Sequence, residues 1–484
     1  MNLTLILSVI AIYFIILIAI SFLTSRKADN NSFFLGNKKS PWFIVAFGMI
    51  GASISGVTFI SVPGWVGDSN FSYMQVVFGY FIGYLVVAQI LMPIYYKMNL
   101  TSIYTYLETR FGIASYKTGA TFFLISRILG ASFRLFLVAN VLQVIIFDKL
   151  NVPFFATVAI IIILIWLVTY KGGIKTIIWT DTFQTVFILL SIFFTTYFIA
   201  KNMNFSLPEM FNNVFDSNYS KIFNFDNYLD KNYFIKQILG GAFITITMTG
   251  LDQDMMQKNL SCRNITEAKK NMFWFSVVLV PINLMFLILG ATLFIFAANN
   301  NIPIPANTDE LYPLIVTGGY LPQSVTIFFI LGLIAATYAS ADSALTSLTT
   351  SFSIDILNVN KIIDELKKKK IIRKVHILIS FILFAVIILF KLFVSENIIS
   401  TLLMVAGYTY GPLLGLYAFG IFTKHQIKDK FVTIIAILSP IITFLLDYYS
   451  TTLFAGYKFG FELIIINGLI MFLGLLAIKK NKTL

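Results

Sequence analysis

The chain has 484 residues, 58% hydrophobic and only 12% charged, with a mean hydropathy of +0.85. That balance excludes a soluble globular protein and describes a polytopic, all-α membrane protein. The formal net charge of +13 is explained by orientation in a membrane, so no nucleic-acid partner is expected.

The apolar stretches predict thirteen spans, each long enough for a hydrocarbon core of ~30 Å. They lie at approximately 3–23, 41–62, 71–96, 116–147, 152–170, 174–200, 233–256, 271–298, 322–357, 375–395, 398–421, 431–449 and 461–478. The first has no basic residue before it and is followed by Arg26 and Lys27, with no small-residue cleavage site. It reads as a retained anchor and not as a secretory signal. Connections on one face of this arrangement hold 26 lysines and arginines, and the other face with its membrane margin holds 7. The basic side is therefore expected in the cytoplasm, with the N-terminus outside and the C-terminus inside. The run Lys367–Lys370 reads as a topology determinant that also meets anionic lipid weakly. The polar connections are too short for an attached catalytic or signalling domain.

Three spans carry signs of a break. The second contains GASISGVTFISVPG (51–64) and the seventh GGAFITITMTG (240–250), five spans later. Glycine- and hydroxyl-rich interruptions at corresponding places in two halves point to an inverted-repeat transporter. The expected division is an extra N-terminal helix (1–30), a first repeat (41–200), a second repeat (233–421) and two C-terminal helices (431–484). The two repeats form a ten-helix core. The third sign, GYTYGPLLG (407–415), predicts a hinge or gate, or else a proline kink without function.

The ninth span carries AATYASADSALTSLTTSFSIDI (335–356). On a helix Ala336, Ala339, Ser340, Ser343 and Ser347 share a face, with Asp342 beside it. Hydroxyls in such a span serve close packing and their own backbone, or coordinate something. A carboxylate near mid-membrane costs on the order of 3 kcal/mol and needs a partner. Asp181, in WTDTFQ, is the other conspicuous acid; it pairs with Lys171 or Lys175, or serves a cation. Arg127 and Arg134 lie seven apart on the fourth span and share a face. Arg127 can reach the interface or a carboxylate such as Asp181, whereas Arg134 is near the span's centre. The single cysteine, Cys262, and two separated histidines, His376 and His425, argue against a metal cluster.

These features together resemble the sodium:solute symporter family. The resemblance is carried by GGIKTIIWTDTFQTV (172–186), SGVTFISVPG (55–64), TSIYTYLETRFG (101–112), LDQDMMQKNL (251–260) and the ADSALTSLTTSFSIDI run. It implies a leucine-transporter-like core that alternates between outward- and inward-open states, no cofactor, and sodium as coupling ion. It implies a sodium held by Gly51, Ile54, Ala336, Ala339 and Ser340. Ala339 stands where many relatives have a hydroxyl, which leaves four of the usual five oxygens. A second cation is implied at Asp181, Asp342 and Ser343. Substrate contacts are implied at Ser55, Thr58, Gln75 and Arg134. Met248 and Thr249 stand where sugar-carrying relatives have a Tyr-Trp pair.

The resulting expectation is a symporter in the bacterial cytoplasmic membrane, importing a carboxylate-bearing solute such as a sialic acid or another organic acid. A sugar or polyol symporter is the alternative. An ion channel lacks a visible pore loop or ring-forming helix, a membrane sensor lacks a signalling domain, and no enzyme motif is present. Oligomeric state is not legible.

Overall fold

The computed structural model describes residues 3–26, 30–170, 173–393 and 398–480. Lys171 and Gly172, the latter opening the signature stretch, lie outside them, as do the ends of the first and last predicted segments. The described residues are all-helical, with no strand beyond two isolated bridges.

We number the principal helices α1 (Leu3–Ser25), α2 (Trp42–Ser53), α3 (Gly56–Ser69), α4 (Tyr73–Val86), α5 (Ile113–Leu142), α6 (Phe154–Thr169), α7 (Ile174–Asn202) and α8 (Phe234–Thr245). There follow α9 (Gln253–Leu260), α10 (Ile265–Asn299), α11 (Leu311–Thr317), α12 (Gln323–Ser351), α13 (Glu365–Phe393), α14 (Ile398–Phe422), α15 (Val432–Tyr448) and α16 (Leu463–Ala477). Among the described residues, eight helices are long and apolar enough to cross a membrane, or ten if each of two bent pairs counts as one span. Two further apolar helices, α6 and α16, are shorter.

The bent pairs fall at the first two predicted breaks. α2 and α3 meet at 59°, and the α8 segment meets α9 at 63°. Ile54 leaves helical geometry (φ −81°, ψ 88°), and extended Ser55 caps α3 by accepting the Thr58 N–H at 3.4 Å. At the second break α8 runs through a wide turn to Gly250. Asp252 then caps α9, its Oδ1 accepting the Asp254 N–H at 2.8 Å. Each break is a place where one helix's carbonyls and the next helix's amides end inside the protein, available to a ligand.

The third predicted break is not one. α14 is continuous through 407–415 and accommodates Pro412. Its glycines serve close approach instead. A Cβ at Gly411 would stand 2.2 Å from the Asn467 amide, and one at Gly415 would stand 2.4 Å from the Gly468 carbonyl, both on α16.

α12 is the central element, with every residue from Phe329 to Ser351 buried. It runs along α7 and touches α2, α3 and α5. Small residues permit this. A Cβ at Gly332 would lie 2.5 Å from Ser191 of α7, and one at Gly56 would lie 2.8 Å from the Thr337 hydroxyl. Without a hydrophobic drive between helices in lipid, such backbone contact is what holds them. The signature aspartate and the hydroxyl-rich face are thereby set against the first break.

Candidate functional site

Three groups of side chains gather where the two breaks meet α5, α7 and α12. The first surrounds residues 51–55. Among the described residues, no backbone N–H outside the helices donates to the carbonyls of Gly51 or Ile54. Opposite stand Ala336 and Ala339, fully buried, and Ser340, whose hydroxyl donates to the Thr337 carbonyl at 3.0 Å. Gly51 lies so close to α7 that a Cβ would fall 2.3 Å from the Thr185 hydroxyl. The five expected residues thus sit on two adjoining elements of backbone and neutral oxygen, the donor type a hard monovalent cation takes.

The second group centres on Asp181. Its expected lysine partners were Lys171 and Lys175; the structure pairs it instead with Lys258 of α9, Nζ to Oδ2 2.6 Å, both side chains fully buried. Asp342 of α12 accepts the Ser343 N–H at 2.6 Å and is close enough to Asp181 to feel its charge. The Ser343 hydroxyl stands beside Asp181 without completing a hydrogen bond of good geometry. Tyr13 of α1 and Gln184 of α7 face the same place. Among the described residues, the Tyr13 hydroxyl, both ends of the Gln184 amide and Asp181 Oδ1 are buried without completing a hydrogen bond of good geometry. Two carboxylates against one ammonium leave a buried negative charge, which is costly unless a cation or proton joins it. No cluster of three acids, histidines or cysteines suited to a metal occurs among the described residues.

The third group lines a cavity of about 120 Å³ beside the first break. Ser55 and Thr58 are on its wall, with Tyr73, Tyr80 and Tyr84 of α4, Thr245, Met248 and Thr249 of the α8 segment, Asn283 of α10, and both arginines of α5. Arg134 forms no ion pair among the described residues, and its Nε has no hydrogen-bond partner. It therefore pairs with neither Asp181 nor Asp342. Arg127 is bound to Asp254 and lies 3.9 Å from Asp252, so it does not reach Asp181 either.

Gln75 is a correction. It does not line the cavity. Its Nε2 donates to the carbonyls of Ser72 (3.2 Å) and Asn232 (3.4 Å), and its Oε1 accepts the Asn224 N–H at 3.3 Å. Both amide donors are thus spent on backbone, and the side chain fastens the 224–232 connection to α4.

Lys258, Asp252, Asp254, Tyr13 and the three tyrosines of α4 were not singled out from sequence. Lys258 and both acids lay within the LDQDMMQKNL motif. Only the bend after Gly250 decides which way each points.

A sequence model of the sodium:solute symporter family matches residues 33–429. The chain is 24% identical over 427 residues to the sodium/sialic acid symporter NanT of Aliivibrio fischeri, covering 83% of this chain and 79% of that protein. It is 22% identical to the sodium/sialic acid symporter SiaT of Proteus mirabilis, covering 89% and 87%. Among solved structures, a substrate-bound, outward-open Na+-coupled sialic acid symporter superposes with a TM-score of 0.84 at 20% identity, covering 98% of both chains. That superposition establishes a common fold.

Proposed function

This chain belongs to the sodium:solute symporter family and is a multi-pass, sodium-coupled symporter of a small solute, not an enzyme; we propose that the solute is a polyhydroxylated carboxylic acid of the sialic acid class. The observation that carries this reading is the unpaired Arg134 guanidinium in the cavity wall. An uncompensated guanidinium is expensive, and a carboxylate completes it with two parallel hydrogen bonds. The remaining wall, rich in Tyr, Thr, Ser and Asn, offers many more polar contacts than a short monocarboxylate could use. Relatives whose names print sialic acid support the same class. A neutral sugar or polyol would leave Arg134 uncompensated.

Sodium binds between the first break and α12, at Gly51, Ile54, Ala336, Ala339 and Ser340. A second cation or a proton joins Asp181, Asp342 and Ser343. Thirteen helices cross the cytoplasmic membrane, N-terminus outside and C-terminus inside. Repeats at 41–200 and 233–421 rock against each other, flanked by the helices within 1–30 and 431–484.

Purified protein in proteoliposomes should accumulate labelled N-acetylneuraminate when sodium is outside, and lose that uptake when choline replaces sodium. Arg134→Lys keeps the charge without the fork and should raise the apparent KM for the acid by about tenfold or more. Uptake of neutral sugars in preference to acids, or a variant whose main loss is in sodium dependence, overturns the carboxylate reading.

A further inference from the structure

Arg127 and Arg134 stand two turns apart on α5, and both line the solute cavity. A gap of only about 10 Å³ lies beside it, lined by Arg127, Arg134 and Met248 and by Tyr410 of α14. The two guanidinium groups therefore stand on the wall of one cavity. They differ in partners. Among the described residues Arg134 has no carboxylate within ion-pair distance, whereas Arg127 is held at the second break by Asp254 and, more distantly, Asp252.

Those two acids are not equivalent. Asp252 is fixed: its Oδ2 accepts the Tyr410 hydroxyl, and its Oδ1 caps α9. Among the described residues, the carboxylate of Asp254 has no partner other than Arg127. The break itself is anchored from behind. The Tyr95 and Tyr104 hydroxyls donate to the carbonyls of Gly250 (2.8 Å) and Leu251 (3.0 Å), and Gln253 Nε2 donates to the Thr101 carbonyl at 2.8 Å. What ties this anchored break to α5 is the Arg127 pair, and its exchangeable half is Asp254.

We propose that Arg127 is a second binding station for the solute's carboxylate, which replaces Asp254 as the solute passes from Arg134 toward the cytoplasm. The inference rests on the carboxylate reading given above. The exchange is one anion for another on the same guanidinium, so the charge at Arg127 stays balanced while the link between α5 and the second break is given up. Solute departure and release of that link become one event.

The test uses the full chain in proteoliposomes, with half-saturation for N-acetylneuraminate measured separately from each face. Asp254→Asn weakens the competitor and should lower the cytoplasmic value by about fivefold while leaving the external value within about twofold. Arg127→Lys retains the charge but loses the fork, and should raise the cytoplasmic value by a similar factor. A second readout is Cys262, the one cysteine of the chain, buried just beyond α9. N-acetylneuraminate supplied at the cytoplasmic face should speed its maleimide labelling in the parent protein and not in Arg127→Lys. Equal shifts at both faces, or none, remove the station and leave the Arg134 reading standing. Absence of acid transport by the parent protein removes both.

Discussion

Lys258 places an ammonium 2.6 Å from Asp181, where a free cation was expected, with Asp342 close by. Its removal leaves two buried carboxylates with no built-in compensation. Breaking a buried pair from one side costs about 3–5 kcal/mol. We therefore expect Lys258→Gln to melt well below the parent protein without sodium and to regain more stability than the parent on sodium addition. A sodium titration of the melting temperature decides this; equal sodium shifts in both proteins would remove the second cation from this site. Ser340→Ala, at the first site, deletes one neutral ligand. It should raise half-saturating sodium by about five- to thirtyfold, the equivalent of ~1–2 kcal/mol, with unchanged expression. Asp181, Asp342 and Arg134 were legible in the sequence because an ionised side chain in an apolar run stands out. Gln75 misled for the same reason. A polar residue in such a run signals a bonding partner, and for Gln75 the partner is the backbone of residues 72, 224 and 232.

The breaks were readable as elements, since glycine and hydroxyl clusters recur five spans apart, but their cause differs from place to place. Gly51 yields contact with α7, and an added methyl there would displace the helix. Gly51→Ala should cost about 1–3 kcal/mol by overpacking. Gly130→Ala, on α5, meets nothing within 4 Å and should gain up to ~1 kcal/mol of helix propensity. Chemical denaturation of both variants in detergent checks the contrast. The same glycine signal at 407–415 marked packing against α16, because spacing along one helix does not reveal what faces it. A further element-scale effect concerns the turn Thr308–Glu310, which packs on α3 at Gly64. Asp309 is buried there, and burial pushes its carboxyl up to about 6. The Ser61 hydroxyl (2.8 Å) offsets this in part, and Asp68 and Glu310 add to it. The docked turn therefore holds a proton that an undocked one releases between its ordinary value near 4 and about 6. Docking weakens as pH rises through that window. Hydrogen-exchange protection of residues 305–317 should be greater at pH 5 than at pH 7, and Asp309→Asn should abolish the difference.

At the scale of the whole molecule, the proposed orientation rests on the 26-to-7 division of lysines and arginines between the two sets of connections. The exposed lysines around 361–370 should be cut by trypsin in inside-out vesicles and spared in right-side-out ones; the reverse would invert the proposed topology. The helical class and the family were legible throughout the chain, since both rest on composition and on motifs spread from 55 to 356. The cavity was not, because its wall is made of faces from α3, α4, α5, the α8 segment and α10, brought together only by folding. That wall has a pharmacological consequence. Arg127 and Arg134 are seven residues apart on one helix, about 10 Å along its axis, and both face the cavity. A rigid dicarboxylate with its acid groups about that far apart would engage both guanidinium groups at once and, tethered at two points, would be slow to leave. Such a compound should inhibit uptake at least about tenfold more strongly than either half alone, acting as a blocker rather than as cargo.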